Sequence, residues 1–366
     1  MSQAVAKPSF KSPLYEMTQT TPTCLWNDSA ATAELLYSID HGAVGATCNP
    51  VIVLGVLKQE MDRWAPVLRQ LIDEHPSASE DELGWMLVEE ISKAAASLLA
   101  PAFAAEGGRN GRLSIQTDPR LYRNSAAIVD QAVRFSHLAP NMIVKIPVSS
   151  AGLVAIEEAT YRGVSINATV SFSLPQAIAV AEAVERGVAR REAEGLEVAS
   201  IAPVCTIMVG RLDDWLKTVA NREGIIVDPG CLEWAGVAVF KKTYALYRQR
   251  GYRTRLLSAA FRNHMHWSEL IGGDVVVSPP YSWQVRFNDS DVTVEDRISR
   301  PVDQKVLDAL EGHFVDFRRA STEGGIAVED FDNFGPNRRT LRQFIAACSE
   351  LDALVRDFVT PDPAKG

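Results

Sequence analysis

Short apolar runs recur along the chain, separated by longer stretches in which apolar residues return every three or four positions. The runs are CLWND (24–28), GATCN (45–49), RLSIQTD (112–118), NMIVKIP (141–147), VSINATV (164–170), IAPVCTIM (201–208), TRLLSAA (254–260) and DVVVSP (274–279). Each has strand length, and most lack the in/out alternation of a half-exposed strand. That pattern suits strands buried on both faces. Between them SAATAELLYSIDHG, NSAAIVDQAVRFSHLA, SAGLVAIEEATYRG, SLPQAIAVAEAVERGVARREAEG and PGCLEWAGVAVFKKTYALYRQRG read as amphipathic helices. The first ends on glycine and the second opens on an Asn-Ser capping pair, both common helix termini. Strands alternating with helices predict an α/β fold, a parallel (β/α)8 barrel of the TIM type.

Two regions exceed the repeating unit. Residues 51–110 predict two or three helices between the second and third strands. Residues 281–366 predict a charged, irregular stretch and then the strongly amphipathic helix RRTLRQFIAACSELDALVRDFV, a C-terminal helical extension packed on the barrel. No internal repeat or Gly/Ser linker interrupts the pattern, so residues 1–366 read as a single domain. The closing TPDPAKG is expected to fray.

Composition narrows the function. A 366-residue chain with 46% hydrophobic residues can bury a large core. Its net charge of -9 argues against a nucleic-acid binder, which presents a basic face. It leaves room for an anionic substrate, because two local arginines outweigh a diffuse surface charge. The five cysteines form no CxxC pair and read as reduced, mostly buried thiols of a cytoplasmic protein. MSQAVAKPSFKSPLYEM lacks the apolar centre of a signal peptide. GATCNPVIVLGVL is too short, and too interrupted by Asn-Pro, to span a membrane.

In barrels of this kind the chemistry sits where the strands end. The expected ends carry Asn27 and Asp28, Asn49, Gln116 and Asp118, Lys145, Asn167 and Thr169, Thr206 leading to Arg211, Arg262 with Asn263, and Ser278. Singly, most have ordinary structural uses: Asn-Pro is turn chemistry, and Asp28 or Ser29 can cap a helix. Their convergence on one face is what favours function. Lys145 stands out, flanked by Met142, Ile143, Val144, Ile146 and Pro147. A lysine can snorkel from an edge strand, but a central strand gives its head no path to water. Burial disfavours the ammonium and leaves a neutral amine able to attack a carbonyl. Arg211 and Arg262 each follow a strand and fit a phosphate clamp, since a guanidinium binds phosphate through paired hydrogen bonds. The tight His264–His266 pair reads as loop or helix rather than metal ligands.

These segments resemble the transaldolase family, lysine-dependent members of the class I aldolase barrels, from about Cys24 to Phe358. NMIVKIPVSSAGLVAIEEATYRGVSINATVSFS resembles the family's Schiff-base signature and the strand after it. GATCNPVIV resembles its Asn-Pro motif, with Cys48 in place of the usual second hydroxyl residue, and IMVGRLDDW and AAFRN resemble its two phosphate-arginine segments. The resemblance implies transfer of a three-carbon dihydroxyacetone unit from a ketose phosphate to an aldose phosphate, as in the pentose phosphate pathway. Lys145 would form the imine and Asp28 would take the C4 hydroxyl proton. Asn49 and Asn167 would hold the donor, and Thr169 would orient a water. Arg211 and Arg262 would bind the phosphate, with Thr206 and Ser278 also in the binding site. It implies no metal or other cofactor, because the protonated imine is the electron sink. Phosphorylated sugars are the expected partners and a homodimer the assembly considered; nucleic acid and membrane are not expected.

Three departures qualify the substrate. Gln116 replaces the family's strand-three glutamate, as in fructose-6-phosphate aldolase-like relatives. Ala260 replaces a serine before the second arginine. Met208 replaces an aromatic residue before the first, and Thr206 a serine. A lyase that releases the three-carbon piece, or an enzyme for a modified sugar, is the alternative reading; a binding protein without turnover is a third.

Overall fold

The eight apolar runs form eight strands: β1 (Cys24–Asn27), β2 (Ala43–Cys48), β3 (Arg112–Gln116), β4 (Met142–Pro147), β5 (Ile166–Ser171), β6 (Val204–Ile207), β7 (Arg255–Ser258) and β8 (Val276–Val277). The computed structural model describes residues 10–365. Every strand pairs in parallel with the next, and β8 returns to β1, so the sheet closes into a barrel. The (β/α)8 expectation therefore holds. Residues 1–9, which open the stretch read as lacking a signal peptide, lie outside the described residues, as does Gly366 of the closing heptapeptide. Ahead of Gly366 the chain makes a short 3-10 turn at Pro363–Lys365.

Strand alternation sorts the apolar side chains into two groups. Leu113, Ile115, Val144, Ile146, Ile166, Ala168, Cys205 and Ile207 belong to the core between strands and helices. Trp26, Ile143, Val204, Leu257 and Val276 form a separate cluster that fills the barrel's interior. The alternate positions Ser114 and Gln116, Ile143 and Lys145, and Asn167 and Thr169 therefore share the inward face. This parity puts a lysine inside β4 at all.

The added helices are more regular than the sequence implied. Residues 51–110 supply two long helices, Pro50–Glu74 and Glu80–Ala105. The first is kinked at Glu60, whose carboxylate accepts hydrogen bonds from the Thr32 backbone (2.6 Å) and the Trp64 indole (3.2 Å). The segment after residue 281, expected to be irregular, contains the short helices Tyr281–Asn288, Gln304–His313 and Val315–Ser321. Their apolar anchors Phe287, Leu310 and Phe317 are spaced too far apart to announce a long amphipathic helix, yet all three are buried. The stretch from Pro229 to Arg250, expected as one helix, breaks into Pro229–Leu232 and Ala235–Arg250.

The last helix, Gly335–Val359, packs on the two long helices and reaches the end of β5. Arg356 pairs there with Glu80. Near its start, Asn337 is buried and inserts its amide between two strand ends, donating to the carbonyls of Val148 and Val170 at 3.1 Å each. Its own carbonyl oxygen accepts from Gln176 Nε2 at 3.0 Å, and Gln176 also donates to Val170. Val170 needs that support. Its φ of +55° is left-handed, a strained conformation for a β-branched residue, at the point where β5 slips register against β6. Asn337→Leu is expected to leave the Val148 carbonyl unpaired and to destabilise the protein by about 1–3 kcal/mol. The shift of the urea unfolding midpoint at unchanged slope measures it.

Candidate active site

Lys145 lies at the carboxyl end of β4, 3% exposed, in register with Gln116 on β3 and Asn167 on β5. Its Nζ makes no hydrogen bond or ion pair among the described residues. Burial pushes its ammonium below the usual lysine value; Asp28 and Cys48 oppose that push, and Arg211 adds to it. Cys48, also buried beside the amine, has its thiol pushed up to about 11 by burial and so stays neutral.

The neighbours divide into committed and uncommitted groups. Asp28, just past β1, accepts a 2.5 Å hydrogen bond from Thr47 Oγ1. Asn167 donates to Ser114 Oγ at 3.0 Å and accepts from Thr206 Oγ1 at 2.7 Å. These bonds fix the Asn167 amide and leave it one N–H and one lone pair. Asn49 caps the helix Pro50–Glu74 through its Oδ1, 3.0 Å from the Ile52 amide. The Asn-Pro pair, read from sequence as turn chemistry, is thus a helix cap, with the amide nitrogen left over. Among the described residues, buried hydrogen-bonding groups at the strand ends left without a partner include both amide atoms of Gln116 and the hydroxyls of Thr169 and Ser278. Orphaned buried polar atoms each cost about 1–3 kcal/mol. Three such residues at the strand ends around one unpaired amine form a wall of unused hydrogen-bonding capacity.

The two arginines stand at the rim. Arg211 opens the helix Val209–Glu223, and burial, then the charge of Arg262, lowers its pKa below the usual arginine value. Its Nε has no partner among the described residues, one terminal nitrogen donates to Gln343, and the guanidinium stands 6.0 Å from the Phe344 ring. Arg262 is turned onto Asp214, with Nε and a terminal nitrogen each 2.9 Å from one carboxylate oxygen. Placing two like charges side by side is unfavourable without an anion between them, and Asp214 is the partner present.

Asp214 and Gln343 were not singled out by sequence reasoning, nor was the dyad behind Arg262. The carboxylate of Asp213 meets His266 Nε2 at 2.8 Å, and both side chains are fully buried. Nδ1 of the same ring accepts the Arg262 backbone N–H at 3.0 Å. Burial raises the Asp213 pKa, and the hydrogen bond to His266 opposes it. The neighbouring Ala260 takes φ +64°, so this loop is strained and braced. His266 lies in the short helix Met265–Ser268, in keeping with the loop-or-helix reading of the histidine pair. LDDW after Arg211 was the only sequence signal for the two aspartates.

A parallel (β/α)8 barrel with polar groups gathered around a buried lysine at its carboxyl mouth defines a class of aldolase-like barrels. Residues 25–324 match the family described as transaldolase/fructose-6-phosphate aldolase, and the chain belongs to that family. Relatives include "Transaldolase 1" of Streptomyces coelicolor, 35% identical over 240 residues, which cover 64% of this chain and 62% of the relative. A transaldolase of Mycobacterium ulcerans is 30% identical over 208 residues, 56% of this chain and 55% of the relative. One of Thermobifida fusca is 32% identical over 199 residues, 53% of each chain. The chain thus spans less than two thirds of the length of the curated relatives it matches. No helix among the described residues is long and apolar enough to cross a membrane.

The buried lysine sets a sign for stability against pH. In the unfolded chain its ammonium titrates near 10.5, and in the folded chain lower. Between the two values the unfolded state holds the extra proton, so this group's contribution to stability rises with pH through that window. Below the lowered value the charge is buried at full cost. Lys145→Met is therefore expected to unfold at a higher temperature than the wild type at pH 7, with the gap narrowing as pH approaches 10.5. Thermal unfolding of both proteins across that range checks it; a gap independent of pH would mean that the amine is not shifted by burial.

Proposed function

We propose that this protein transfers a dihydroxyacetone unit from a ketose phosphate to an aldose phosphate through an imine on Lys145. The observation that carries the proposal is the unpaired, desolvated amine of Lys145 within electrostatic reach of Asp28. The neutral amine adds to the ketose C2 carbonyl, and the carbinolamine takes one proton from water in the mouth and loses water to give the protonated imine. Asp28, oriented by Thr47, takes the C4 hydroxyl proton. The C3–C4 bond then breaks, its electron pair moves into the imine, and an aldehyde leaves. The enamine that remains adds to the acceptor aldehyde by the reverse path. Thr169 and Gln116 supply unpartnered polar atoms for the water that enters and leaves. Asn49, Asn167, Thr206 and Ser278 hold the donor's hydroxyls. Arg211 and Arg262 take the phosphate, and Arg262 exchanges Asp214 for it. We place this reaction in cytoplasmic sugar-phosphate metabolism of the pentose phosphate type.

One observation favours a lyase balance. Gln116 stands where the family carries glutamate, and fructose-6-phosphate aldolase-like relatives carry glutamine there too. Fructose 6-phosphate supplied with and without an aldose acceptor separates the two: turnover only with acceptor marks the transferase, turnover without it the lyase.

Lys145→Ala is expected to abolish borohydride trapping of fructose 6-phosphate, read as loss of the adduct mass; undiminished trapping would remove the lysine from the mechanism. Arg211→Ala should weaken phosphorylated substrates by about 2–5 kcal/mol while leaving unphosphorylated ketoses nearly unchanged, seen as a split between their kcat/KM values. Gln116→Glu should speed adduct formation by up to about 10²-fold and add an acidic group to its pH profile, followed by rapid-quench trapping.

A further inference from the structure

The barrel has a second mouth. Opposite Lys145, at the end where the strands begin, a cavity of about 1060 Å³ opens between Arg112 at the start of β3, Val204 at the start of β6, Arg255 at the start of β7 and Asp274 ahead of β8. The buried layer of Trp26, Ile143, Leu257 and Val276 lies between the two ends. We infer that this amino-end cavity is a binding site for a phosphorylated, ring-bearing ligand of the nucleoside-phosphate class.

Charge is the first argument. Five arginines line the cavity, Arg109, Arg112, Arg248, Arg253 and Arg255, against the single carboxylate of Asp274. Arg253 is paired with Glu185 at 3.0 Å. Arg109 and Arg255 share Asp274, at 2.6 Å and 3.9 Å. Arg112 donates only to the backbone carbonyls of Gly108, Met142 and Ser200. Arg248 meets no carboxylate among the described residues. Two guanidinium charges thus lack a carboxylate in a protein whose net charge is -9. Burial and the neighbouring Arg255 push the Arg112 pKa down to about 10, the response of a cation placed near another cation away from water. An anion between them relieves both effects.

The hydrogen-bonding inventory agrees. Of the five N–H donors of a guanidinium, Arg255 spends two, on Asn110 Oδ1 (2.7 Å) and Cys24 Sγ (3.5 Å). The wall also contains Thr254, 3% exposed, whose hydroxyl has no partner among the described residues. Guanidinium forks with a spare hydroxyl are the donor set that phosphate oxygens take up. Among small and aliphatic residues such as Ala199, Pro203 and Leu256, the lining also presents the rings of Phe103, Tyr244 and Tyr252, and Arg112 already lies over the Phe103 ring at 5.2 Å. A sugar phosphate would leave those rings idle, whereas a planar base would stack on them. The volume matches a small-ligand site.

The test titrates the full chain with ADP, pyrophosphate and adenosine, by calorimetry and thermal shift. ADP is expected to fill one site per chain and raise the unfolding temperature, with pyrophosphate about tenfold or more weaker and adenosine silent. Arg248→Glu, a surface change on the helix Ala235–Arg250, should weaken ADP by about tenfold or more while imine trapping at Lys145 without ADP is unchanged. Absence of ADP binding, or equal binding by Arg248→Glu, would overturn the site. Pyrophosphate binding as tightly as ADP would reject the nucleoside class, and displacement of ADP by fructose 6-phosphate would put the anion in the other mouth.

Discussion

An amine without a partner in the centre of a barrel is the condition to which the rest of the carboxyl mouth responds. Removing an ammonium from water is costly, and folded proteins usually answer with an ion pair or loss of the proton. Here Asp28 is near enough to influence Lys145 yet is held by Thr47, and Cys48 stays a neutral thiol. The environment lowers the amine's basicity instead of neutralising it with a salt bridge. Around it Gln116, Thr169 and Ser278 keep unspent hydrogen-bonding capacity. A stability-driven design would have paired or removed these groups, and their retention is the physical argument that the mouth is shaped for an occupant.

Support for that mouth comes from outside it. Asn337 on the last helix and Gln176 behind β5 hold the Val170 carbonyl, keeping a left-handed valine beside Thr169. Asp213 and His266 hold the Arg262 backbone from below. Gly210 packs directly against the Ala260 carbonyl; a Cβ there would stand 2.0 Å from that oxygen. Each brace acts on backbone at or beside a proposed reacting or binding residue rather than on its reactive side-chain group.

Strand identity and the lysine were legible in the sequence because both are local signals. A run such as NMIVKIP announces burial on both faces, and a charge within it cannot be accounted for by the run alone. The polar strand ends were legible once the barrel was assumed, because barrel topology converts eight positions in sequence into one face. Asn337, Asp213 and His266 were not legible. Their partners lie 189, 53 and 53 residues away in the chain, and no periodicity encodes such a bond. The short helices after residue 281 were missed for a related reason, since isolated anchors such as Phe287 and Phe317 bury themselves without forming a stripe. The amino-end arginines escaped notice because they come in two groups far apart in the chain, Arg109 with Arg112 and Arg248 with Arg253 and Arg255.

The bond from Asn337 to Val170 crosses 167 residues of sequence, and this fixes when the mouth can take shape. On a growing chain β4 and β5 leave the ribosome long before the helix that carries Asn337. Until that helix docks, the left-handed turn at Val170 lacks one of its two side-chain braces, and the relaxed strand is favoured. The segment bearing Lys145 can collapse early through its apolar neighbours, but its surroundings mature last, by a contact of high sequence separation and correspondingly slow formation. A nascent chain therefore carries the lysine in an unfinished setting, and reactivity becomes a property of the completed polypeptide rather than of the strand that bears the amine.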